Sequence, residues 1–143
     1  MARIKLTLPI QSPNFVCEIP VRITDINYGG HLGNDSMVSL LHQARMLFLD
    51  SLGYSEMDIE GVALIQGDLA VTYKGESFFN DVLRFEIYVS DMSHRSFDLY
   101  YNITTIRDDK EESIAIAKTG VVCFDYDSRK SCAVPEAFAE RFA

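Results

Sequence analysis

The chain has 143 residues, 48% hydrophobic, 24% charged and 11% aromatic, which is one domain's worth of sequence with material for an ordinary core. Its 13 Lys and Arg against 21 Asp and Glu give a net charge of −8, which argues against nucleic acid and anionic lipid as partners. Cys17, Cys123 and Cys132 show no CxxC or Cys/His spacing, so neither a disulfide framework nor a zinc site fits and a reducing compartment is expected.

Met1 to Pro9 lack the apolar region of a secretory leader, and no run nears the ~20 apolar residues of a membrane helix. The expectation is a soluble cytoplasmic domain covering residues 1–143, with no internal repeat or linker. From Phe15 to Ile23 apolar residues alternate strictly, which predicts a half-buried strand, irregular at Pro20 for want of an N–H. A glycine-rich polar turn, Thr24 to Asp35, leads into a helix predicted over Ser36 to Leu52. Asn34, Asp35 and Ser36 are all suitable amino-terminal caps, and Gly53 suits the position after the last turn. Met37, Leu40, Leu41, Ala44, Leu47 and Phe48 recur at helical spacing, and Val38, Met46 and Leu49 widen the apolar surface, as in a core helix.

Beyond a turn at Tyr54 to Glu60, four long strands are predicted: Val62 to Tyr73, Val82 to Ser90, Ser96 to Ile106 and Ser113 to Tyr126. The breakers between them are short and polar, including Lys74 to Glu76, Asp91 to His94 and Arg107 to Glu112, which predicts an antiparallel meander. One buried helix must then pack on the apolar face of that sheet, giving an α+β architecture.

The stretch Asp25-Ile26-Asn27-Tyr28-Gly29-Gly30-His31-Leu32-Gly33-Asn34, followed at once by a long helix, resembles the signature of hotdog-fold acyl-CoA thioesterases. It is most similar to the 4-hydroxybenzoyl-CoA thioesterase-like branch, whose pattern is roughly D-x-(D/N)-x-x-G-H-x-x-N. Ala44-Arg45, Asp81-Val82-Leu83, Ser96-Phe97 and the segment Asp125 to Pro135 also fall where that family has counterparts, so the likeness covers about residues 15–136. The resemblance implies a hotdog fold, a long central helix wrapped by a five- or six-stranded antiparallel sheet. It implies a homodimer or a tetramer of dimers, with two sheets joined edge to edge and each site between subunits. The implied reaction is hydrolysis of an acyl-CoA thioester, without metal or organic cofactor.

Thioester hydrolysis needs a carboxylate that attacks or activates water and N–H donors for the developing oxyanion. A helix amino terminus presents such donors, and glycines at 29, 30 and 33 let backbone approach a carbonyl; the amides of His31 and Leu32 are the expected donors. Many family members carry Asp at the third motif position, whereas this chain has Asn27, a neutral amide that orients water but takes no proton. Asp25, two residues earlier, would share the side of Asn27 in extended backbone and is the favoured carboxylate, weighed against a role bracing the turn. Asp68 and Gln66, on the next strand, come second and would face the site from across a dimer.

His31 is placed as thioester-positioning group or general base, since imidazoles as a class titrate near neutrality, and Asn34 as a helix cap within the substrate-binding turn with Gly30 and Leu32. His42 and Arg45, on the polar stripe of the helix, are expected to pair at a buried interface. For CoA phosphates the sparse cations are Lys74, His94, Arg95, Arg129 and Lys130, with Phe78 and Phe79 at the pocket mouth. An enoyl-CoA hydratase of the same superfamily is the nearest other enzyme, but Tyr28 replaces its Pro and His31 falls one residue late. A non-catalytic acyl-CoA-binding protein is the other alternative, and an acyl-carrier-protein partner is disfavoured by like charge.

Overall fold

A computed structural model describes residues 1–143. Its strands are β1 (Phe15–Pro20), β2 (Ala63–Tyr73), β3 (Val82–Ser90), β4 (Ser96–Arg107), β5 (Lys110–Asp125) and β6 (Lys130–Ser131), and its helices are α1 (Asn34–Ser51) and α2 (Glu136–Arg141). The strands form one six-stranded antiparallel sheet in the order β1-β3-β4-β5-β2, with β6 beside β5. This is the hotdog fold, with α1 as the long helix.

The alternation along the strands puts one face against α1. Phe85, Ile103 and Ala115 lie in register across β3, β4 and β5, as do Ile87, Tyr101 and Ala117, and all six are fully buried. From α1, Met37, Leu40, Leu41, Ala44, Arg45, Phe48 and Leu49 are buried at helical spacing. The flank of Val38, Ser39, His42 and Gln43 stays exposed, so α1 is buried on one side only rather than nearly all round.

Three local differences from the sequence reading have physical causes. β1 stops at Pro20, and Ile23–Asp25 forms a 3-10 turn in which the Asp25 carboxylate accepts from the Arg22 N–H at 2.8 Å. The polar stretch from Arg107 to Glu112 uses only Asp108 and Asp109 as its turn, both at positive φ (53° and 61°), so the flanking residues continue the strands. Last, α2, which the sequence reading did not anticipate, closes the end of the core: Phe138 is fully buried and packs on Phe97 with ring centroids 4.9 Å apart. Ahead of β1, the chain lies against the sheet face opposite α1, where the Thr72 hydroxyl donates to the Ile4 carbonyl. No helix is long and apolar enough to cross a membrane.

Candidate active site

The turn before α1 is built by its own backbone. The Asn27 N–H donates to the His31 carbonyl at 2.9 Å and the Gly30 N–H to the Asn27 carbonyl at 3.1 Å, with Gly30 at φ 83°. The Asn27 side-chain carbonyl accepts from the Gly29 N–H at 2.8 Å, which leaves its NH2 group as a donor. A Cβ on Gly29 would stand 3.2 Å from Asn27 Oδ1 and 3.3 Å from His31 Nε2, so glycine here is what lets the imidazole come close to the amide.

The turn opens on a cavity of about 680 Å³ at the amino end of α1, lined by Asn27, His31, Leu32, Asn34, Tyr73 and Glu76 among others. A second segment reaches it because the Leu32 N–H donates to the Ser77 carbonyl at 2.7 Å, which holds Glu76 beside the turn. His31 Nε2 lies 3.9 Å from Glu76 Oε1. Tyr73, at the end of β2, donates its hydroxyl to the Asn34 carbonyl at 2.9 Å. Burial, reinforced by the nearby Asp35 carboxylate, pushes the Tyr73 phenol up and keeps it a hydrogen-bond donor.

The helix starts at Asn34, two residues earlier than the sequence suggests: Gly33 is its cap, with no side-chain capping bond, in place of Asn34, Asp35 or Ser36. The first amides of α1 therefore have neither an intrahelical partner nor a side-chain one. The His31 N–H is likewise without a protein acceptor, whereas the Leu32 N–H is taken by Ser77 and is not free to serve an oxyanion.

The remaining predicted residues fall in several places. Asp25 is only 3% exposed and its two oxygens are bound by the Arg22 amide and guanidinium, which braces the turn and keeps the carboxylate out of the cavity lining. The extended backbone that would have set Asp25 beside Asn27 is broken by the 3-10 turn. Asp68 does not join the turn within the protomer. The register of β2 slips between Gln66 and Asp68, which swings the Asp68 carboxylate onto Lys118 at 2.9 Å and the Gly120 N–H at 2.7 Å. Lys118, with the Gly120 amide, holds that carboxyl below its ordinary range.

Gln66 lines a second cavity, between α1 and β2. Lys74 follows Tyr73 at the rim of the first cavity, and its N–H is tied to the Ile114 carbonyl. Arg95 lies near the other end of the sheet, next to Ser96, whose row runs through Val122 to Ile65, and its guanidinium donates to the Ser131 carbonyl at 2.8 Å. Eight residues of β2 separate Ile65 from Tyr73, roughly 26 Å of strand. Glu76 was missed by the sequence reading; its one sequence signal is the turn following β2.

Fold and site together define a thioester hydrolase of hotdog architecture. Over residues 21–142 the chain matches the model of the thioesterase-like superfamily, and it belongs to that family. Among solved structures it is similar to a 1,4-dihydroxy-2-naphthoyl-CoA thioesterase from Synechocystis (TM-score 0.79, 21% identity, 90% of this chain and 94% of that one). It is also similar to a DHNA-CoA thioesterase from Staphylococcus aureus (TM-score 0.75, 23% identity, 88% and 84%). A thioesterase-superfamily structure from Jannaschia sp. CCS1 aligns with TM-score 0.81 at 19% identity, over 94% of this chain and 83% of that one. At these identities the likeness establishes the fold. No curated protein matches the chain by sequence.

Proposed function

We propose that the protein hydrolyses an acyl-CoA thioester at the amino end of α1, with His31 as the base. The observation that carries this reading is the meeting of Asn27, His31 and Glu76 with unpartnered backbone N–H groups in one cavity. His31 removes a proton from water, and the resulting hydroxide attacks the thioester carbonyl carbon. Negative charge then develops on the carbonyl oxygen, where the His31 N–H and the first amides of α1 receive it, aided by the positive end of the helix dipole. Collapse of the tetrahedral intermediate breaks the C–S bond, and the imidazolium returns its proton to the departing CoA sulfur. Glu76 supports the charged imidazole, and the Asn27 NH2 group orients water or thioester.

In this assignment Asp25, occupied by Arg22, is not the carboxylate that acts on water; His31 takes that part and Glu76 supports it. The working unit in this reading is a homodimer joined through β2. That strand has 11 residues, ends the sheet, and exposes Leu69 and Tyr73 at 45% and 50%. Lys74, beside the cavity, is the CoA-phosphate cation this reading favours. The test is thiol release from a panel of acyl-CoAs, with sedimentation to give the oligomeric state. Turnover that is lost in His31→Ala supports the assignment; full activity in His31→Ala overturns it. Tight acyl-CoA binding without thiol release would make the protein a binder instead.

A further inference from the structure

A second cavity lies further along the same helix. Asn34 and Tyr73 line the first, while Val38 and Leu69, each four residues further along its own element, line the second, of about 310 Å³. The two cavities follow the seam between α1 and β2, along α1 from Asn34 past His42 to Arg45. The distance is about 12 Å to His42 and about 16 Å to Arg45 at the rise of an α-helix. In the second cavity Val38, Leu41 and Leu69 give apolar lining, and His42, Arg45, Gln66, Asp68 and Thr119 polar lining.

Arg45 is the unusual feature there. Its side chain is 7% exposed, its Nε donates to Glu56 at 2.6 Å, and Nη1 reaches the Tyr101 hydroxyl at 3.4 Å. Nη2 donates to no protein group, and Arg45 is one of the residues lining the cavity. Glu56 already balances its charge, so the end of the seam asks for an oxygen acceptor and does not require an anion. A methyl end seated here would cover guanidinium N–H groups with hydrocarbon and leave them without water. A hydroxyl end would accept from Arg45 and donate to the side-chain carbonyl of Gln66.

Resting on the thioesterase reading above, we infer that the α1–β2 seam holds the acyl chain and selects an elongated acyl group carrying an oxygen substituent at its far end. The register slip at Gly67 shapes this end: it ties the Asp68 carboxylate to Lys118 and the Gly120 N–H, while Gln66, Asp68 and Leu69 all line the cavity. A compact acyl group would leave the far end unfilled.

The test compares decanoyl-CoA with ω-hydroxydecanoyl-CoA. The wild type should favour the hydroxylated chain by about tenfold in kcat/KM, the scale of one hydrogen bond to a charged group. Gln66→Leu and Arg45→Lys should each bring that ratio toward one; the exposed position of Gln66 makes its variant the safer fold control. A wild-type ratio near one, or a ratio unchanged in both variants, overturns the inference and leaves the thioesterase reading standing. If neither thioester is hydrolysed, the parent reading is decided by the acyl-CoA panel, and the same pair is compared by calorimetric binding. Tighter binding of the hydroxylated chain that is lost in Gln66→Leu then upholds the seam, and equal binding overturns it.

Discussion

The amino end and the middle of α1 use polar groups in opposite ways. At the amino end, amides lack partners, His31 and Glu76 stand 3.9 Å apart, and their side chains are 36% and 66% exposed. Halfway along, Arg45 binds Glu56 at 2.6 Å and reaches Tyr101, whose hydroxyl lies 2.9 Å from that of Thr119; Arg45, Tyr101 and Thr119 are all buried. The first region holds unsatisfied groups ready for a ligand. The second ties the helix to the sheet. One helix therefore carries the proposed chemistry at its end and its anchor to the sheet at its middle, where only Arg45 Nη2 is left for a ligand, so changes in the two regions should be read by different instruments.

The largest effect expected is on stability. Arg45→Ala removes the closest partner of the Glu56 carboxylate and one of the two partners of the Tyr101 hydroxyl, and should cost about 3 kcal/mol in urea unfolding, the low end for a broken buried pair because Glu56 is 25% exposed. A loss below about 1 kcal/mol would mean that the network does not anchor the helix. Next, His31→Ala should lower kcat/KM by about 100-fold or more, within the range for a lost general base, while unfolding free energy moves by only about 0.5 kcal/mol. Equal damage to stability would erase the contrast between the two regions. Glu76→Gln, which keeps the shape of the side chain, should lower kcat by about tenfold. An unchanged rate would remove Glu76 from the site and return it to the surface.

The candidate site was legible in the sequence where it is contiguous. Asn27, His31 and Asn34 lie within ten residues of Asp25, and the long helix behind them is visible in its periodicity. Legibility failed where a local backbone event redirects a side chain. The rule that residues two apart share a side holds for extended chain, and the 3-10 turn at Ile23–Asp25 removed Asp25 from it. The register slip after Gln66 did the same to Asp68. Glu76 was hidden for another reason: a long-range backbone bond, Leu32 to Ser77, brings it to a turn far earlier in the chain. The six residues of α2 are too few for helical periodicity to stand out.

The smallest predicted effect sharpens the comparison, because the segment that delivers Glu76 has an anchor of its own. The Asp81 carboxylate accepts from Ser77 at 3.0 Å and from the Phe78 N–H at 2.9 Å, and it is paired with Arg107. Burial alone would raise this carboxyl, but Arg107 and the two hydrogen bonds overcome it and hold the group below its ordinary value of 3.8. A folded-state value below the unfolded one contributes stability above pH 3.8 that is lost as the pH falls through the folded value. Asp81→Asn should therefore be less stable than wild type by about 1 kcal/mol at pH 7, and the gap should narrow as the pH falls below 3.8. Activity should fall only slightly, because the Leu32 to Ser77 bond still holds Glu76 beside His31. A gap that persists unchanged into acid would show that the segment is held by packing, for example by Phe78 under Arg107 at 5.0 Å, and not by the ionised carboxylate.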